Sequence, residues 1–158
     1  MSWKTDRMIN NNAYINKVSK VIFVQAIDRE YTYDDTIDLS FPKLKQDGAI
    51  DITNGIIKTG VPTKVMIEIN IFYTYSNIDT EFAPRYQISI INNDILINNH
   101  PNLGTNDSVD TVNNLYILSV IDVANDDKIK IIMSKDTTEI STNVIKIMKN
   151  SFINYKTF

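Results

Sequence analysis

Residues 115–123 are apolar on both faces, and this segment constrains the fold more than any other part of the chain. The segments around it alternate between apolar and polar residues, the pattern of antiparallel strands with one face in water. The two apolar rows of residues 115–123 are Leu115, Ile117, Ile121 and Val123 on one side and Tyr116, Leu118 and Val120 on the other. We expect one row to pack in the core and the other to meet another subunit, and the pattern leaves open which row does which.

Period-two alternation extends over most of the chain and predicts an all-β protein. The longest strand is predicted at residues 64–75, where every odd position is apolar or aromatic and Met66 and Phe72 add apolar residues to the even face. Turn residues favour reversals at 46–48, 54–55, 92–94 and 125–127, and polar composition predicts loops at 31–35 and 99–114. No segment combines a capping box with a 3.6-residue period. The pattern predicts one antiparallel β-sandwich of jelly-roll topology with about eight to ten strands.

Length and composition limit the classes of function. At 158 residues the chain is long enough for one domain, predicted at 17–158 behind a polar arm at 1–16. The net charge is −3 and the basic residues are scattered, which argues against nucleic-acid binding. We expect no signal peptide, no membrane insertion and, without cysteine, no disulfide. Over-use of Ile and Asn fits the A/T-rich codons of a low-G+C genome, that of a bacterium, a phage or a large DNA virus.

Few residues suggest chemistry. His100 is the only histidine and lies in the predicted loop 99–114, with no nucleophile motif to complete a hydrolase triad. Two acidic groups could offer oxygen ligands to calcium, but neither has the spacing of a calcium loop. They are Asp34, Asp35 and Asp38, and Asp122, Asp126 and Asp127; Asp107 and Asp110 are similar turn residues. We therefore predict no catalytic, cofactor or metal site and no enzymatic activity.

Tyrosines are numerous enough for a sugar-stacking platform, although core packing and subunit contacts suit such rings equally well. The six considered are Tyr31, Tyr33, Tyr73, Tyr75, Tyr86 and Tyr116.

The order of features from Ala49 onward resembles the tumour-necrosis-factor-like jelly roll, which the globular heads of the complement first component share. Gly60-Val61-Pro62 precedes a long strand, and a hairpin turns at Asn92-Asn93-Asp94. The apolar strand 118–123 then leads through Asn125-Asp126-Asp127 into the alternating strand 128–131, and Phe152 supplies a terminal-strand aromatic. Asn125 or Asp126 stands where the family commonly has Gly, and Pro62 replaces a usual aromatic. The resemblance implies a compact homotrimer packed around a threefold axis.

These observations lead to a structural or assembly function. We expect a homotrimeric jelly-roll head or decoration on the surface of a virus or phage particle, a minor capsid or capsid-surface protein with other particle or capsid proteins as partners. The alternative is a head module that binds a carbohydrate or a receptor. An enzyme on a cupin-like barrel is disfavoured, because metal-dependent members need several histidines. The predicted subunit interface consists of Tyr116, Leu118, Val120 and Phe72.

Overall fold

The computed structural model describes residues 19–32, 36–77, 86–101, 112–135 and 143–157, so the predicted arm at 1–16 lies outside the described residues. The described part of the chain contains thirteen strands and no helix. The strands are β1 Lys20–Val24, β2 Arg29–Thr32, β3 Thr36–Asp38, β4 Lys43–Asp47, β5 Asp51–Thr53, β6 Ile56–Lys58, β7 Thr63–Asn77, β8 Tyr86–Asn92, β9 Ile95–Pro101, β10 Asn113–Val123, β11 Ile129–Lys135, β12 Asn143–Ile147 and β13 Phe152–Thr157. The all-β prediction is confirmed, with more and shorter strands than the eight to ten expected.

Two antiparallel sheets and one small hairpin form a jelly-roll sandwich. The seven-stranded sheet has the order β2–β12–β7–β13–β1–β4, and β10 pairs along the other side of β7. The four-stranded sheet has the order β3–β11–β8–β9, and β5 pairs with β6 in a hairpin. Strands β12 and β13 pair one after the other along the same edge of β7. Among the described strands, β10, β2 and β4 are therefore edges of the seven-stranded sheet, and β9 and β3 are edges of the four-stranded sheet.

The core lies between the sheets and is filled mainly by isoleucine. The odd residues of β7 from Val65 to Tyr73 are fully buried, because a two-residue period turns all of them to one face of the strand. The ring of Tyr73 packs edge-to-face on Tyr86 of β8, with centroids 5.3 Å apart. This contact joins the two sheets. It places two of the six candidate sugar-stacking tyrosines in the core and not on a sugar-binding surface.

Strand β10 resolves the ambiguity of the two apolar rows. Leu115, Ile117, Ile121 and Val123 are buried between the sheets. The opposite row is exposed in the single chain, with 53% of Tyr116, 51% of Leu118 and 48% of Val120 accessible to solvent. The row that contains Tyr116 is therefore the one that faces away from the core.

Several local predictions need correction. Residues 31–32 belong to strand β2 and not to a loop, and residues 99–101 continue β9, so His100 is in a strand. Lys43–Asp47 forms strand β4, which takes in two residues of the predicted turn 46–48. All five residues of β4 are exposed, so no apolar alternation marks the strand. Its pairing with β1 comes from backbone hydrogen bonds, which a side-chain pattern does not report.

Candidate assembly surface

The outward face of the four-stranded sheet is polar where β8, β9 and β11 lie side by side. On the four-stranded sheet, neighbouring polar side chains bond to one another in a chain. Gln87 Nε2 donates to Ser134 Oγ at 3.2 Å, Asn99 Nδ2 donates to Gln87 Oε1 at 3.2 Å, and Ser89 Oγ donates to Asn99 Oδ1 at 3.3 Å. This face already satisfies its polar groups and suits water. It is the ordinary outer surface of a half-buried antiparallel sheet.

The seven-stranded sheet exposes an apolar row along its edge strand β10. Antiparallel register places Leu118 opposite Glu68, Val120 opposite Met66 and Tyr116 opposite Asn70. We define the assembly face as Tyr116, Leu118 and Val120 of β10 together with Met66 and Phe72 of β7. Met66 and Phe72 are half-buried, and the three β10 residues are exposed. Three large apolar side chains exposed in one row of β10 indicate a candidate interaction surface.

One ordered polar contact lies within the assembly face. The Tyr116 hydroxyl donates a hydrogen bond to Glu68 Oε2 at 2.6 Å. The carboxylate that accepts this bond raises the pKa of the Tyr116 phenol, so the ring stays neutral under ordinary conditions. The contact fixes the orientation of the ring and leaves its apolar surface available to a partner.

Along one edge of β7 the paired strand changes from β13 to β12, and Phe72 lies at this change. Its backbone N–H donates to Ser151 Oγ at 2.9 Å, and its carbonyl accepts from Met148 N–H at 2.7 Å. Across the other edge of β7 it lies opposite Asn114. These two hydrogen bonds join the backbone of Phe72 to the connection between β12 and β13.

A second apolar group on β9 was missed by the sequence reasoning. Ile95, Leu96 and Ile97 are exposed by 43 to 65%. The pairing of β8 with β9 shifts register between Ile90 and Ile91, which interrupts the alternation of β9 next to this run. The Asn98 amide donates to Ser119 Oγ of β10 and links the two edge strands. The signal in the sequence was the run of three apolar residues, since a half-buried strand would alternate.

The predicted chemical residues do not assemble into a site in the described part of the chain. Asp34, Asp35, Tyr33, Asp107 and Asp110 lie outside the described residues, and Asp38 faces Lys130 at 3.5 Å. His100 lies opposite Ile88 in the register of β8 and β9, and its Nε2 is buried without a hydrogen-bond partner in the described residues.

The second acidic group is engaged in structural contacts. Asp122 pairs with Lys64 at 3.0 Å, and Asp126 pairs with Lys58. Among the described residues, no group of three or more histidine or acidic side chains is placed to hold a metal ion. No helix of the described ranges is long and apolar enough to cross a membrane.

Asp127 fastens two turns together. Its carboxylate accepts hydrogen bonds from the side chains of Asn92 and Asn93, both at 2.9 Å, and from the backbone N–H of Ala124 at 2.8 Å. The Asn92 bond, followed by that of Ala124, lowers the pKa of the Asp127 carboxyl below its ordinary value of 3.8. The β8–β9 turn and the β10–β11 turn are thereby held by one charged acceptor.

We predict that Asp127→Asn lowers the free energy of unfolding by about 1–2 kcal/mol at neutral pH, because an amide is a weaker acceptor than a carboxylate. The stabilisation is fully present above the unfolded-state pKa and is lost as the pH falls through the lowered folded-state pKa. The difference between variant and wild type should therefore shrink below pH 3.8. Urea denaturation at several pH values measures it, with Asp126→Asn on the same turn as the control. Equal losses in both variants would contradict the assignment.

Comparison with known proteins identifies the fold. No protein-family model matches the sequence, and no curated protein matches it significantly. Among solved structures, murine APRIL superimposes with a TM-score of 0.55 at 11% identity, covering 90% of this chain and 100% of APRIL. The Eiger TNF of S. frugiperda gives a TM-score of 0.50 at 12% identity, with 89% and 91% of the two chains covered. The chain has a tumour-necrosis-factor-like jelly-roll fold.

The tumour-necrosis-factor-like sandwich also matches a domain-sized part of a larger protein. Dimeric latent PorU from Porphyromonas gingivalis aligns with a TM-score of 0.50 at 10% identity, over 89% of this chain and 12% of PorU. At these identities the likeness concerns the fold alone. Function has to be argued from the surfaces of this chain.

Proposed function

We propose that the protein is a homotrimeric head module that works through its surfaces and not through catalysis. The observation that carries the proposal is the exposed apolar row of the assembly face, Tyr116, Leu118 and Val120. Leu118 and Val120 are already about half buried, so covering the rest of each side chain would gain half of the roughly 1.5–3 kcal/mol of full burial. A second copy of the chain supplies the simplest cover.

The two edge strands support packing of one copy against its neighbour. Ile95, Leu96 and Ile97 of β9 and the exposed row of β10 lie on edge strands of the two sheets, joined by the Asn98–Ser119 contact. An edge that carries apolar residues can pack on the assembly face of a neighbour in a head-to-tail manner. A heterologous contact of this kind closes into a ring when the rotation is right, and three copies make the smallest closed ring beyond a dimer. The tumour-necrosis-factor-like fold fits the trimer that the sequence resemblance implies.

The setting we propose is the surface of a virus or phage particle, with the trimer acting as a structural head or decoration and other particle proteins as its partners. The support is the Ile- and Asn-rich composition together with the lack of a catalytic motif in the sequence. Binding of a receptor or glycan by the head is the second candidate. The fold that the chain shares with Eiger TNF favours this second candidate.

Light scattering coupled to size exclusion tests the assembly. We expect a mass close to three times the 18.1 kDa of one chain at micromolar concentration, with an interface that buries well above about 1,000 Å². A monomer under these conditions would reject the proposal. For the trimer, a glycan array separates the two candidate roles, since the structural role predicts no saturable binding to any glycan.

A further inference from the structure

A cleft unrelated to the assembly face opens between the two sheets. Its volume is about 540 Å³, within the range of small-molecule sites in proteins. One wall is the connection from β3 to β4, residues 39–43, and the other is the β5–β6 hairpin with Asn54 and Gly55 at its turn. The cleft lies near the β4 and β3 edges of the sheets and the β8–β9 turn, and none of the five residues of the assembly face lines it.

The cleft has a mixed lining that includes several apolar side chains and the phenol of Tyr155. The apolar lining includes Phe23, Leu39, Phe41, Ile52 and Ile153. Tyr155 also lines it, is only 5% exposed and packs edge-to-face on Phe23 with centroids 5.8 Å apart. Burial raises the pKa of this phenol, so the hydroxyl keeps its proton and can donate it to an acceptor on a ligand.

The rim of the cleft carries more amines than carboxylates. Three lysines, Lys43, Lys128 and Lys130, face the two acids Asp38 and Asp94. Lys43 is engaged with Asp51 at 2.6 Å and Lys130 with Asp38 at 3.5 Å. In the described ranges Lys128 has no carboxylate within ion-pair distance. Its ammonium group is available to an anion at the mouth of the cleft.

We propose that this cleft binds an organic acid with an apolar tail, of the medium-chain fatty-acid class. The tail lies against Phe23, Leu39 and Phe41, and the carboxylate is held at the rim by Lys128. Tyr155 donates its hydroxyl proton to an oxygen of the ligand. The amphipathic character of the ligand follows from the apolar side chains of the lining and the amine at one end. The site is independent of the assembly face and of the proposed function.

Titration of the wild-type protein with decanoate tests the proposal, with heat or ligand-detected NMR as the signal. We expect saturable binding at one site per chain, with decanol and hexanoate each binding at least about tenfold more weakly. Lys128→Gln and Tyr155→Phe should each weaken decanoate binding about tenfold, since each removes one polar contact to the carboxylate. Lys64→Gln, which removes an exposed lysine outside the cleft, serves as the matched control and should bind decanoate like the wild type.

Thermal unfolding of ligand-free Tyr155→Phe adds a readout that does not depend on decanoate. If the hydroxyl is unpartnered, the variant should unfold at the same temperature as the wild type or above it. Destabilisation would show that the hydroxyl already has a partner, and it would overturn the role of Tyr155. Binding of decanoate that does not saturate, or that all three variants weaken equally, would overturn the site.

Discussion

Val120→Lys should convert the trimer into a folded monomer. Val120 is half exposed in the single chain, so a lysine there keeps its ammonium in water and leaves the core untouched. In the proposed trimer the same position is covered by another copy, and burying an ammonium without a partner costs several kcal/mol for each subunit. Dissociation is therefore expected at micromolar concentration. Light scattering measures the mass, and circular dichroism checks that the β-sheet signal is retained.

The next residue along the strand provides the matched control. Ile121 is 3% exposed and points into the sandwich, so Ile121→Lys should abolish folding and not merely assembly. The two substitutions introduce the same group one residue apart, on opposite faces of β10. A Val120→Lys protein that remains trimeric would show that the assembly face is not the interface. A Val120→Lys protein that unfolds would show that Val120 is needed for the stability of the single chain.

Period-two alternation predicted the long strands well, because burial between two sheets imposes that pattern directly. β7 and β10 appear within two residues of their expected ends, and the doubly apolar pattern of β10 correctly marked a row that its own core does not use. β4 could not be found in this way, since all of its residues are exposed and its partner β1 lies about 20 residues earlier. Its place depends on backbone pairing that only the folded chain defines.

The exposed apolar side chains were predicted only in part, because a sequence pattern shows burial only where it alternates regularly. Leu118 and Val120 were found because their strand is apolar on both faces, whereas Ile95, Leu96 and Ile97 lie in a short strand whose register shift hid their exposure. The cleft was not predictable at all. Phe23 and Tyr155 are brought into edge-to-face contact by the pairing of β1 with β13, from opposite ends of the chain. No local pattern encodes that contact.

Gly55→Ala should lower the free energy of unfolding by about 2–4 kcal/mol, although it adds only one methyl group. Asn54 and Gly55 form the β5–β6 turn with φ of 52° and 78°, a conformation that glycine adopts freely and alanine does not. A Cβ on Gly55 would lie 2.6 Å from the carbonyl oxygen of Ile129, which is backbone and cannot turn aside. The Gly55 carbonyl accepts the Ile129 N–H at 2.7 Å, so any shift of the turn also weakens this bond.

Gly60→Ala is the matched control, because a Cβ there meets no atom within 4 Å. Urea denaturation of both variants should show a lower midpoint for Gly55→Ala and little change for Gly60→Ala. Equal midpoints would mean that the hairpin is not fastened to β11 through Gly55. The hairpin forms one wall of the cleft, so Gly55→Ala should also weaken decanoate binding while leaving the trimer intact. Loss of the trimer instead would connect the hairpin to the assembly face, from which the strand order separates it.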